Sequence, residues 1–218
     1  MTEANVRDTK DRILDVAERL FASQGIDATS LRQITTEADV NLAAVNYHFQ
    51  SKDELVRSVY ERRLRPMNSK RLELLNALEL EHAPNPVPLD ALLRVFFEPV
   101  VSMAIELKSE GLAIGRVIGR VYTEPNVIVD QIFVREMSES FRRFSTAMAR
   151  SLPHLTAEET IWRLVFTIGM LAHTLAAEAK MERISEGRCN LRNKDVVLRQ
   201  MVAYAQAGLL APSLEKSE

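Results

Sequence analysis

The residues best placed to do chemistry lie in one run, SLRQITTEADVNLAAVNYHFQSK, residues 30–52. Ser30, Asn41 and Ser51 each stand just ahead of a stretch with helical apolar spacing. Short oxygen-bearing side chains in such places accept hydrogen bonds from the free N–H groups that open a helix. Ser30 is followed three residues on by Gln33, and Ser51 by Glu54, which are the reciprocal partners of a capping box. Leu31, Ile34 and Ala38 share one face of the first helix; Asp39, Val40 and Asn41 break the period; a second helix runs from Leu42 to His48. Two short helices joined this tightly form a helix-turn-helix, whose second helix fits a DNA major groove.

The chemistry available to that unit is recognition. Asn41 and Asn46 carry amides that can pair with an adenine edge, and Leu42 and Ala43 offer small apolar surface for a thymine methyl. Lys52 opens a further helix, where its charge and the free N–H groups both attract phosphate. Thr29, Ser30, Tyr47 and His48 bring polar tips suited to phosphate oxygens. Asn41 reads equally well as a cap alone, and His48 as a ring packed under the turn. Val45 and Phe49 read as core.

These residues need a scaffold, and the chain has the length for it. It holds 218 residues with net charge −2 and pI near 6.2. The first 65 residues are not basic either, with ten Lys/Arg against eleven Asp/Glu, but 40–51 contains no acid to repel phosphate. A single cysteine, Cys189, excludes an intrachain disulfide and any multi-cysteine metal site. It reads as a free thiol in a reducing compartment or as a redox sensor. The charged N-terminus does not resemble a signal peptide, and the longest apolar run, 161–177, is interrupted by Arg163 and His173. The expectation is a soluble cytoplasmic protein with no membrane segment, no metal and no cofactor.

Every other segment has helical rather than alternating spacing, which predicts an all-α fold. An amphipathic helix over 7–24 ends at Gly25 and should brace the motif. A long helix starts at Lys52, passes Pro66 with a kink, and ends near Leu80. A helix over 89–107 is apolar nearly all round and contains Pro99. A short helix over 112–122 follows, and Pro125 is expected in the first turn of the next long one. Thr156 with Glu159 opens a helix to about Arg183, and Asn193 caps a last one, Lys194 to Gln206. The spacing divides the chain into a DNA-binding head, 1–66, and a body, 67–218.

The penultimate helix is apolar on more than one face, through Ile161, Trp162, Val165, Phe166 and Leu171 among others. That predicts a homodimer through Thr160–Lys180 and Val196–Leu210, unless the helix is simply the centre of a monomeric bundle. Candidate ligand residues in the body are Gly115, Arg116, Arg120, Met137 and His173. Gly115 lies in a run with Gly111 and Gly119 that could instead serve helix packing. The arginines could pair an acidic ligand or face solvent, Met137 suits an adaptable pocket or plain core, and His173 reads as a core or pocket histidine.

Ile13-Leu14, Ala17, Leu20-Phe21, Gly25, Thr29-Ser30, Ile34, Ala38, Val40, Tyr47-His48-Phe49, Ser51-Lys52 and Glu54-Leu55 together resemble the DNA-binding head of the tetracycline repressor (TetR) family. The resemblance covers about fifty residues. It implies a regulator, mostly a repressor, that binds a palindromic double-stranded DNA operator as a homodimer and is released by a small-molecule effector. It also implies that Tyr47 touches phosphate. Two features depart from the family pattern: Asp39 stands where a turn glycine is frequent, and Leu42-Ala43-Ala44-Val45-Asn46 replaces a common Lys-Gly-Thr-Leu-Tyr opening. The alternatives are a helical protein-interaction adaptor and an all-helical enzyme. No Gly-rich phosphate loop, nucleophile elbow or paired metal ligands support the enzyme.

Overall fold

A computed structural model describes residues 3–109 and 126–214. All regular structure among them is helical: α1 (Glu3–Gln24), α2 (Leu31–Glu37), α3 (Leu42–Phe49), α4 (Lys52–His82), α5 (Leu89–Ser109), α6 (Val127–Ser151), α7 (Ala157–Ala176), α8 (Glu178–Ile184) and α9 (Lys194–Leu210). The expected short helix over 112–122, with Gly115, Arg116 and Arg120, lies outside the described residues.

Two apolar clusters organise these helices. The first gathers Ile13, Ala17 and Phe21 of α1, Ile34 of α2, Val45 and Phe49 of α3, and Leu55 and Val59 of α4. The second joins the far half of α4 to α5, α6, α7 and α9, centred on Leu75, Leu92, Phe97, Phe144, Met148 and Leu198. Helix α4 supplies both, and Leu64 touches both. It passes Pro66 as one continuous helix. The clusters are not sealed from one another, because Val129 and Ile132 at the start of α6 are buried in the head cluster.

Several local expectations are corrected. The capping boxes at Ser30 and Ser51 are half-formed: each hydroxyl accepts the third residue's N–H, at 3.1 Å. Gln33 instead pairs with Gln24 and Glu54 with Arg57. The box at Thr156 and Glu159 is complete. Helix α6 is capped by the Asn126 side chain and begins at Val127; Pro125, expected in its first turn, lies outside the described residues. The single helix expected from Ala157 to about Arg183 is two, bent by 73° at Ala177. Ala177 is buried there, and Glu178 pairs with Lys108 at the end of α5. Tertiary anchoring overrides a locally helix-favouring sequence.

Arg163, which interrupts the apolar run, closes the end of α9 by donating to the carbonyls of Gly208, Leu209, Ala211 and Pro212. A cation at a helix C-terminus meets the unpaired carbonyls and the negative end of the dipole. Beside it, the Glu159 carboxylate accepts the N–H of Leu214 at 2.6 Å, the N–H of Thr156 at 3.1 Å and the Ser213 hydroxyl at 2.8 Å. These bonds, and more weakly Arg163, lower its pKa from 4.5 to about 2. The folded carboxylate binds a proton more weakly than the unfolded one, so its stabilisation is present above about pH 4.5 and is lost as pH falls toward 2. Thermal melts of wild type and Glu159→Gln over this range check the expectation: the wild-type midpoint drops more steeply, and the two curves converge in acid.

Candidate nucleic-acid interface and ligand cavity

The turn between α2 and α3 is built without glycine. Asp39 takes it up with φ 51°, in the left-handed region that a short polar side chain tolerates better than most. Arg12, reaching from α1, donates to the carbonyls of Ala38 and Asp39, the latter at 2.8 Å. Helix α3 then starts at Asn41, whose Oδ1 accepts the Ala44 N–H at 2.8 Å. Val45 and Phe49 are buried against α1 and α4, which turns the opposite face of α3 outward. Leu42, Ala43, Asn46 and Tyr47 are exposed on it, Tyr47 by 77%.

The other predicted residues divide. Ser30 is an exposed cap. Lys52 is half-buried at the first position of α4, and His48 is half-buried with its ring edge-on to Tyr47, centroids 5.1 Å apart. Asn41 is exposed, but its oxygen is committed to capping, so only the amide nitrogen remains for an outside partner. Thr29 is a correction: it is fully buried, with its hydroxyl donating to the Gly25 carbonyl at 2.6 Å, and cannot meet phosphate. Glu37, the nearest acid on α2, is paired with Arg19 at 2.7 Å. Sequence reasoning missed Arg12, since nothing local marks a side chain that braces a turn 26 residues away.

In the body, a cavity of about 420 Å³ lies between α4, α5, α6 and α7. Met137 lines it, together with Phe96, Met103, Phe133 and Phe141. His173 does not: it is exposed, on the outer face of α7, which corrects both the core and the pocket readings. Among the described lining residues only Arg71 and Ser140 carry side-chain nitrogen or oxygen. Arg71 is a buried cation whose Nε donates to the Phe96 carbonyl at 3.0 Å and whose guanidinium lies 4.5 Å from the Phe96 ring centre. The sequence did hold a signal for it, since Arg71 falls in the apolar register of Leu64, Met67 and Leu75.

Residues 94–208, more than half of the chain, match the family profile described as the tetracyclin repressor-like C-terminal domain, and residues 13–59 match that of the bacterial regulatory proteins of the tetR family. The chain belongs to the tetR family. It is therefore a DNA-binding regulator of transcription and not an enzyme. The HTH-type transcriptional regulator AcrR of Shigella flexneri is 40% identical over 73 residues, which are 34% of this chain and 33% of AcrR, so the alignment spans only a third of that relative. SCO4454, a TetR-family regulator from Streptomyces coelicolor, superposes with TM-score 0.62 at 18% identity, covering 95% of this chain and 92% of its own. The SmeT–triclosan complex superposes with TM-score 0.61 at 18% identity, covering 96% and 98%.

The tetR-family head depends on the turn that Arg12 holds. Arg12→Met is expected to lower stability by about 1.5–3 kcal/mol, the range for hydrogen bonds to a charged group. Chemical denaturation followed by circular dichroism checks it.

Proposed function

We propose that this regulator is a repressor that binds a palindromic operator as a homodimer in the cytoplasm and is released when a small molecule fills the body cavity. The outward face of α3 carries the reading: Leu42, Ala43, Asn46 and Tyr47 stand clear of the core on a helix that two neighbours hold rigid. In this reading Asn46, Leu42 and Ala43 contact bases, Asn41 contributes through its amide nitrogen, and Ser30, Tyr47, His48 and Lys52 take phosphates. Residues 1–66 act as the DNA-binding unit and 67–218 as the effector and dimer unit.

The dimer is supported by the outer faces of α7 and α9. Ile161, Trp162, Val165 and Phe166 on α7, and Val196 and Tyr204 on α9, are large apolar or aromatic residues left exposed. Trp162 and Phe166 stack on one another, centroids 5.8 Å apart. A contiguous apolar surface of this kind marks an interface. The bend at Ala177 sets its limit, so the α7 contribution ends before Glu178 rather than at Lys180.

The route from cavity to head is supported by α6. Its residues Phe133, Met137, Ser140 and Phe141 line the cavity, while Val129 and Ile132 are buried in the head cluster. Between them Glu136 pairs with Arg65 at 3.2 Å, Arg135 pairs with Glu61, and Asn68 donates to the Glu136 carbonyl at 2.6 Å. A ligand that shifts α6 moves an element inside the head core.

Lys52→Ala is expected to weaken binding to all DNA alike and to lower the salt slope by about 1. Asn46→Ala should cost roughly 1–3 kcal/mol on the cognate site only. Fluorescence anisotropy on cognate and scrambled duplexes separates them; unchanged preference in Asn46→Ala would remove Asn46 from base reading.

Selection from random DNA should return a palindrome with half-sites about one helical turn apart, ~34–36 Å, or slightly more. Phe166→Glu should give a folded monomer by sedimentation that recovers only weak half-site binding. A Phe166→Glu protein that stayed dimeric would disprove this interface.

A further inference from the structure

We infer that Lys10 of α1 is a further phosphate contact of the head, acting beside Lys52 at the end of α3. The inference extends the phosphate set given above to a helix outside the helix-turn-helix, and it needs only the DNA binding that the family establishes. Three observations carry it.

The first is how many of the head's charges are already spent. Arg12 is held by the turn carbonyls, and Arg19 pairs with Glu37. Arg57 pairs with Glu54, Arg62 with Asp15, Arg63 with Glu18 and Arg65 with Glu61. Among the described head residues, Lys10, Arg32 and Lys52 are left as the cations without an ion pair or a side-chain hydrogen bond. A head with no net positive charge attracts phosphate through the charges left free near its reading helix.

The second is where Lys10 sits. Its Nζ lies 5.9 Å from the centre of the Phe49 ring, and Phe49 is the last residue of α3. Phe49 is buried, so the ring is a fixed platform. The π face attracts an ammonium without neutralising it, and the N–H donors stay available to a phosphate oxygen. Lys52 stands three residues beyond Phe49, across a turn in which the Ser51 N–H donates to the Phe49 carbonyl at 2.6 Å. His48 belongs to the same end, its ring 6.0 Å from that of Phe49. Arg32 is free and exposed as well, but it stands in the first turn of α2 and no contact ties its side chain to α3. The ring singles out Lys10.

The third is the disposition of the acids. Glu37 and Glu54 are already paired. Asp11 follows Lys10, but successive helical residues point about 100° apart, and Lys10 is the one turned to Phe49. Asp53 is exposed beside Lys52 and offsets part of its charge at the opening of α4. A second cation at this corner restores a net attraction.

The test uses the full-length protein and a fluorescein-labelled mixed-sequence duplex, with anisotropy titrations from about 50 to about 200 mM salt. Lys10→Gln is expected to weaken binding several-fold at low salt and to flatten the slope of log affinity on log salt by about 0.9 per head, as one lost phosphate contact requires. Lys10→Arg should keep the wild-type slope. Lys70→Gln removes the same charge from a Glu73-paired site on α4 and should leave the slope unchanged. The double variant Lys10→Gln, Lys52→Ala should lose about 1.8 per head. An unchanged slope in Lys10→Gln, an equal loss in Lys70→Gln, or an arginine variant that falls with the glutamine one overturns the contact. So does a wild-type protein that fails to bind this duplex at the lowest salt. The duplex holds no cognate site, so these outcomes are separate from the base reading assigned to Asn46, which is scored on sequence preference.

Discussion

The Glu18 carboxylate is 3% exposed, and everything that aims the head depends on how that charge is compensated. A buried carboxylate persists only where its charge is paired and its oxygens are bonded. Arg63 meets it with two parallel bonds at 2.8 and 2.9 Å, and Arg62 lies 3.6 Å away while also pairing with Asp15. All four charged residues lie on α1 and α4, so their pairing welds the bracing helix of the head to the helix that enters the body. Removing Arg63 would leave the buried Glu18 carboxylate with only the longer Arg62 contact. The weld sits just ahead of Pro66, where α4 lacks one backbone bond. Bending of α4 at this point therefore rotates α1, α2 and α3 as one piece, and the orientation of α3 is set by the direction of α4.

That rigidity explains why a head with no net positive charge can read DNA. Affinity from phosphate neutralisation alone would need a basic surface, and the first 65 residues do not supply one. A neutral reader depends instead on geometry: the Arg12 bonds to the turn, the Asn41 cap and the buried Val45 and Phe49 leave α3 little freedom. Preorganisation lowers the ordering cost of binding, and a second head on a dimer raises the effective concentration.

Much of this was legible in the sequence because caps and short-range periods are local. Ser30, Asn41, Ser51, Thr156 and Asn193 all open helices where their spacing places them. Asp39 holds the left-handed turn position that its replacement of a glycine implied. What escaped is set by contacts between distant segments. The bend at Ala177 falls in Ala-Ala-Glu-Ala-Lys, which by propensity should continue as helix. Thr29 lies beside a true cap yet turns inward, because Gly25 leaves a carbonyl unpaired beneath it. His173 shares its period with Trp162, Phe166 and Gly169, the face left outside once Leu164, Leu171 and Leu175 turn inward. Arg71 is the instructive case: a charged residue in an apolar register lies inside, because the Phe96 carbonyl and ring receive the guanidinium.

The same register makes α6 the element on which sensing and aiming meet. A helix transmits displacement along its length with little loss, and α6 is gripped at both levels by different partners. Toward its start, Val129 and Ile132 are plugs in the head core; a turn further on, the carboxylates of Glu136 and Glu61 share Arg65 and Arg135. That cluster is half in water and holds weakly, so it can re-pair at small cost, whereas the two plugs cannot leave without opening a cavity in the head. A shift of α6 driven by the body is thus resisted least at the ion pairs and most at Val129 and Ile132. The head must follow the plugs.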